Sequence, residues 1–356
     1  MIRILVVEDS RMVRELVVQA LQTDPEIAVV GTVSRGDEVL DRVLALRPDL
    51  ITMDIQLPGL SGLDATRLIM QSCPTPVIIL TSLTDDEESR IAFRSLAAGA
   101  LMVLDKPVNF VGLSGDAFTR HLVQQVKLNH RVRMNAGALE GSPRAARGWH
   151  GSRRVKRFDV VGIGASAGGP MCLSRLLSGL PGDFGLPIVV VQHISRGFTQ
   201  GFATWLGDQI GRPVVLARDR AKPEPGSVYL SPEDIHLEFD ASGSFQHSGA
   251  PALRGHRPSV DVLFSSLAQM FRSRAIGVLL TGMGADGAQG LKKMRDAGAT
   301  TFAQDEATSL VFGMPQEALK LRAVDQVLPL NAIGDALLEL GGTGSGLPVQ
   351  ENSGPR

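Results

Sequence analysis

The feature that most constrains this chain is a pattern that occurs twice: short runs apolar at nearly every position, separated by segments whose apolar residues recur at three and four. IRILVVED, IAVVGTV, LITMDI, PVIILTS and ALMVLDKP form the first series. A strand with one wet face alternates in polarity, so strands apolar throughout must be covered on both faces, and the intervening helices supply the cover. Met12 to Gln22, Gly36 to Leu46 and Gly115 to Leu128 are helix candidates. The expectation is a parallel α/β domain over residues 1–128. FDVVGIG, LPIVVVQH, PVVLA, SVYLS, AIGVLLTG, ATTFAQ and VDQVLPL form the second series. They alternate with helix candidates at Met171 to Ser178, Phe198 to Ile210, Ser259 to Phe271 and Ala288 to Ala297. This predicts a second, doubly wound and mainly parallel α/β domain over residues 157–340, and 356 residues leave room for both cores.

Residues 129–156 have little apolar periodicity and several Arg and Gly residues, which reads as a basic flexible linker. Residues 341–356, rich in Gly, Ser and Pro, read as a disordered tail. Lys+Arg number 36 against 37 Asp+Glu, a net charge of −1, so no global field points to nucleic acid. No basic recognition helix stands in the second half either. Cys73 and Cys172 fall one in each domain without CxxC or HExxH, which argues against a disulfide framework or a zinc site. The N-terminal apolar run is too short for a signal core and no stretch approaches the roughly 18 apolar residues of a membrane span, so a cytoplasmic protein without membrane insertion is expected.

In the first domain Glu8 and Asp9 end the first strand, Asp54 the third, Thr81 the fourth and Lys106 the fifth. A parallel sheet brings these ends to one edge, where such sheets hold ligands. Converging carboxylates repel, and a hard divalent cation with oxygen ligands relieves the repulsion; Mg²⁺ fits best. The carboxylate of Asp54 can then attack a phosphoryl group, with Lys106 pairing to the new oxygens and the Thr81 hydroxyl within reach of them. These residues, together with D-IQL-P-GLS-G over 54–62, TS at 81–82 and KP at 106–107, resemble response-regulator receivers. The resemblance implies a flavodoxin-like fold and metal binding by Glu8, Asp9, Asp54 and the backbone of Gln56. It also implies phosphorylation of Asp54 and switching through Thr81. Receivers usually carry an aromatic residue three positions before the lysine; here that position is Val103.

In the second domain VVGIGASAGG admits three readings: a dinucleotide fingerprint, a GxSxG nucleophile turn over 164–168, or a plain strand-to-helix connection. A dinucleotide site needs an acid at the end of the next strand, but PIVVVQH ends in Gln192 and His193. As a nucleophile turn, Ser166 follows the first strand, His193 ends the next, and Asp286 follows another long apolar strand, so all three reach one rim. On the residues alone, His236, His247 and His256 stay open as alternative bases.

GIGASAGG at 162–169, VVVQHI at 189–194, RPSVDVLF at 257–264, LLTGMGADG at 279–287 and TFAQDEATSLVFGMP at 301–315 resemble the catalytic domain of chemotaxis protein-glutamate methylesterases. Ala167 stands where that family often has threonine. The resemblance implies Ser166 as nucleophile, His193 as base, Asp286 as its orienter and the backbone around Met283 as an oxyanion contact. It implies hydrolysis of glutamate γ-methyl esters on chemoreceptor helices without a cofactor at that site, commonly with deamidation of receptor glutamines. It further implies a histidine kinase as phosphodonor.

Overall fold

The structure is a computed structural model, described here for residues 1–82, 86–107, 113–130, 132, 134 and 157–342. The first domain runs β1 (Ile2–Val7), α1 (Arg11–Gln22), β2 (Ile27–Val33), α2 (Val39–Leu46), β3 (Leu50–Asp54), α3 (Gly62–Ser72), β4 (Val77–Thr81), α4 (Asp86–Ala97), β5 (Met102–Asp105) and α5 (Leu113–Asn129). Its strands pair in parallel in the order β2-β1-β3-β4-β5. The reversal of order lies between β1 and β3, which opens a crevice above Glu8, Asp9 and Asp54.

Successive strand residues point to opposite faces, and both faces here are buried. Ile4 and Val6 join Ile78, Leu80 and Leu104 on one side; Leu5 and Val7 join Ile51, Met53, Ile79 and Val103 on the other. Helix starts are fixed locally. Ser10 caps α1 by accepting from Val13 N, and Ser61 caps α3 by accepting from Asp64 N.

The second domain runs β6 (Val160–Ala165), α6 (Gly169–Ser178), β7 (Ile188–Gln192), α7 (Thr199–Ile210), β8 (Val214–Leu216), β9 (Val228–Leu230), β10 (His236–Phe239) and β11 (Phe245–Ser248). It continues with α8 (Val260–Met270), β12 (Ala275–Leu279), α9 (Ala288–Asp296), β13 (Thr300–Gln304), α10 (Met314–Lys320), β14 (Gln326–Leu328) and α11 (Leu330–Gly341). The sheet order is β14-β13-β12-β6-β7-β9-β8 with every pairing parallel. β6 is flanked by β7 on one side and β12 on the other, so the order reverses there and the ends of these three strands border one crevice.

Two features depart from the sequence reading. β10 and β11 form an antiparallel hairpin that strand patterning did not mark, because four-residue strands show too little period. The hairpin is held by packing: Phe239 stacks edge-on to Phe271, and Phe245 lies against Tyr229. α6 begins at Gly169, two residues before the expected start, since Pro170 suits the first helical turn. The greater part of the expected linker, residues 135–156, and the tail from 343 on lie outside the described residues. Among the described residues no helix is long and apolar enough to cross a membrane.

The two domains share one hydrophobic cluster. Phe93 of α4 is fully buried with its ring centroid 6.1 Å from Phe198, 5.5 Å from Phe202 and 6.0 Å from Trp205, all of the second domain. Ser195 Oγ donates to the Val103 carbonyl at 2.6 Å. Leu101 packs with Leu310 and Val311, against which Ala167 and Met283 also rest. The first domain therefore lies against the rim that carries Ser166 and His193.

Candidate functional site

Ser166 is the first residue past β6, and His193 the first past β7. The last registered pair of these strands is Ala165 with Gln192, so the two residues continue the ladder side by side. His193 N donates to the Ala165 carbonyl at 3.0 Å, and Ser166 N donates to Thr281 O at 3.1 Å beyond β12. Gly282 passes so close that a Cβ there would meet Ser166 Cβ at 2.8 Å and Met314 Sδ at 2.3 Å, which explains the glycine in TGMG.

Asp286 lies in the loop after β12 and is almost fully buried. Its Oδ2 accepts from His193 Nε2 and Val260 N, both at 2.8 Å. Its Oδ1 accepts from Ser259 Oγ at 2.7 Å, Asp261 N at 3.0 Å and Gly287 N at 3.1 Å. The donors from Ser259 to Asp261 form the N-terminus of α8, whose dipole also favours an anion. Burial by itself would raise the carboxyl, but the bonds from His193, Ser259 and Asp261 outweigh it and hold Asp286 far below the usual carboxylate range.

With Nε2 on Asp286, the nitrogen of His193 left for proton transfer is Nδ1. It is buried and has no hydrogen-bond partner, so the Ser166–His193 bond of a complete triad is not made in this arrangement. His256 stacks on His193, centroids 4.0 Å apart and planes 6° apart. Burial, reinforced by His193, pushes the His256 imidazole down to about 4, against the opposing pull of Asp286. The other candidate bases are engaged elsewhere. His236 accepts from Ser259 N through Nδ1 and donates to Pro251 O through Nε2, and His247 Nε2 donates to Ala217 O.

At the first domain's crevice, Lys106 Nζ lies 2.9 Å from Asp54 Oδ1 and 2.7 Å from Glu8 Oε2. Asp54 Oδ1 also accepts from Ile55 N at 2.7 Å. One carboxylate oxygen from each of Glu8, Asp9 and Asp54 falls within 4.8 Å of the others. Burial, with Asp54 adding, raises the Glu8 carboxyl to about 7 although Lys106 opposes the rise. Three clustered carboxylates with one ammonium group leave an acidic excess of hard oxygens, and this donor set fits Mg²⁺. Thr81 is buried at the end of β4, its carbonyl accepting from Lys106 N at 2.7 Å. Gln56 is exposed two residues after Asp54.

Family models match the chain as a CheB methylesterase over residues 161–337 and as a response regulator receiver domain over residues 4–115. The protein-glutamate methylesterase/protein-glutamine glutaminase 1 of Syntrophus aciditrophicus is 42% identical over 348 residues, 96% of this chain and 99% of the relative. The corresponding protein of Nitrosospira multiformis is 40% identical over 347 residues, 96% of this chain and 97% of the relative. The chain belongs to this methylesterase/glutaminase family.

A crystal structure of the Thermotoga maritima CheB methylesterase catalytic domain is similar at 37% identity with a TM-score of 0.49, covering 52% of this chain and 100% of that one. In this methylesterase-family chain, Ser166, His193 and Asp286 gather at one rim, as Glu8, Asp9, Asp54, Thr81 and Lys106 gather at the other crevice. Met283 sits in the loop between Thr281 and Asp286, partly buried against Leu310 and Val311. Sequence reasoning gave no role to Ser259 or to Gln192, and offered His256 only as an alternative base, not as a ring stacked on His193. Ser259 stood inside the quoted RPSVDVLF run, but nothing in its spacing from Asp286 signals contact across 27 residues.

Proposed function

We propose that this protein hydrolyses glutamate γ-methyl esters on the cytoplasmic helices of chemoreceptors, and deamidates receptor glutamines, through Ser166, His193 and Asp286. The observation that carries the reading is the His193–Asp286 pair, held by the α8 N-terminus beside the strand end that bears Ser166. Ser166 Oγ attacks the ester carbonyl while His193 Nδ1 takes its proton. Asp286 fixes the tautomer and offsets the charge of the imidazolium. The Met283 backbone N–H stabilises the oxyanion, an arrangement that donors placed in advance make effective. Return of the proton from His193 releases methanol, and water, deprotonated by the same imidazole, clears the glutamyl-enzyme. A glutamine amide follows the same course with ammonia leaving. No cofactor takes part at this site.

Regulation follows from the domain contact. Asp54 accepts a phosphoryl group from a histidine kinase; Glu8, Asp9, Asp54 and the Gln56 carbonyl would hold Mg²⁺, which offsets the phosphoryl charge. Lys106 pairs with the phosphoryl oxygens and Thr81 moves toward them. The unphosphorylated first domain, through Phe93, Leu101 and Val103, covers a rim that must admit a receptor helix about 10 Å across. Phosphorylation shifts the population toward the uncovered state. Val103 replaces the usual aromatic, and its carbonyl bond to Ser195, two residues from His193, supports a main-chain relay.

The test is methanol release from methylated receptor membranes, with and without a small phosphodonor, by the wild type and by Ser166→Ala. The wild type should release methanol faster with phosphodonor, and the variant should lose activity by orders of magnitude. Retention of more than about a tenth of the rate in a folded Ser166→Ala protein would remove Ser166 as nucleophile.

A further inference from the structure

Gln192 is a buried polar side chain at this rim that the reaction itself does not use. It ends β7 at 4% exposure, in a strand otherwise made of Ile and Val. Its Nε2 donates at 2.9 Å to the carbonyl of Ser166 and at 2.8 Å to the carbonyl of His193. Both partners are acceptors only, so chemistry fixes which amide atom faces them. The other amide atom, Oε1, is buried without a partner, pressed against the start of α6 where a Cβ on Gly169 would meet it at 1.9 Å. A buried amide with an unsatisfied oxygen is costly, and a role for its NH₂ group accounts for its presence here.

We propose that Gln192 is a positioning residue that sets the separation of nucleophile and base by tying together the main chains of Ser166 and His193. The proposal rests on the reading of those two residues as the catalytic pair. Beyond the Ala165–Gln192 pair the ladder continues by the bond from His193 N to Ala165 O at 3.0 Å, which ties His193 to β6 but does not reach Ser166. No side-chain bond joins Ser166 to His193 Nδ1. Ser166 is also held by its own N–H on Thr281 O and by Gly169 N on its carbonyl, and the two bonds from one amide add the link between Ser166 and His193 at the point where the ladder ends. Gly169 is part of the device, because any side chain there displaces the amide.

Three variants of the full chain test this. Gln192→Met keeps length and removes both donors; Gln192→Glu keeps shape and sets an oxygen against the two carbonyls; Gly169→Ala keeps the amide's chemistry but pushes it aside, its Cβ falling 1.9 Å from Oε1 and, less severely, 2.9 Å from Ala165 Cβ. Each should lower kcat for methyl ester hydrolysis about 10- to 100-fold, the scale of a misplacement near 1 Å, with KM within about twofold. The rate of labelling of Ser166 by a small fluorophosphonate should fall in parallel, because that probe needs the serine activated but makes no use of the receptor site. Wild-type kcat and labelling in folded Gln192→Met would overturn the proposal, as would a loss confined to KM. Should the Gln192 variants not fold, Gly169→Ala decides by the same two measurements. Labelling that persists in Ser166→Ala would instead sink the assignment of the nucleophile, so the two failures are told apart.

Discussion

Phe93→Ala tests the covering contact from the first-domain side and leaves the catalytic domain unaltered. Phe93 is fully buried and meets Phe198, Phe202 and Trp205, one ring edge-on and two tilted. Truncating a buried phenylalanine typically costs about 3–5 kcal/mol. Part of the ring rests on its own domain, beside Ala92 and Leu96, so about half, roughly 2 kcal/mol, belongs to the contact between domains. At about 1.4 kcal/mol per decade this shifts the balance toward the uncovered state by roughly 25-fold. The basal, unphosphorylated rate of methanol release should therefore rise several-fold to about 25-fold, limited by the rate of the fully phosphorylated wild type. Stimulation by phosphodonor should shrink accordingly. The assay compares initial rates on methylated receptor membranes at equal concentrations of folded enzyme, with thermal unfolding followed in parallel. A basal rate within twofold of wild type, in a variant with both domains folded, would refute occlusion through this cluster.

Asp54→Asn keeps the shape of the crevice but removes the nucleophilic carboxylate, so it should take up no phosphate from a small phosphodonor with Mg²⁺ and stay at the basal rate. Phosphate incorporation at the wild-type level would place the modification elsewhere. The His256 imidazole, held at about 4 in the fold by burial and by His193 and ordinarily near 6.5, couples stability to pH. The unfolded chain binds the extra proton between those values, so this contribution is whole above about 6.5 and is lost as pH falls toward about 4, amounting to about 3 kcal/mol. His256→Phe keeps a flat ring on His193 and should be less destabilised than wild type between pH 7 and pH 4.5 in urea unfolding. Equal acid sensitivity of the two would remove His256 as the source.

The α/β class and the crevice clusters were legible in the sequence because parallel strands covered on both faces are apolar throughout, and because strand ends in one sheet share an edge. That places Glu8, Asp54 and Lys106 together, and likewise Ser166 and His193, without knowledge of side-chain distances. Other contacts are decided by tertiary structure alone. Ser259 reaches Asp286, and His236 supports Ser259, because α8 and the β10–β11 hairpin pack onto the sheet, and no periodicity encodes that approach. Residues gathered at a rim can form several pairings; the α8 N-terminus selects one by supplying three donors to Asp286, Ser259 Oγ and Asp261 N on Oδ1 and Val260 N on Oδ2, with His193 Nε2 sharing Oδ2. Gln192 counts in the sequence only as a missing acid. Its amide acquires a role when two strand ends bring two carbonyls within 3 Å of it, which is a property of the packed sheet and not of the strand that carries it.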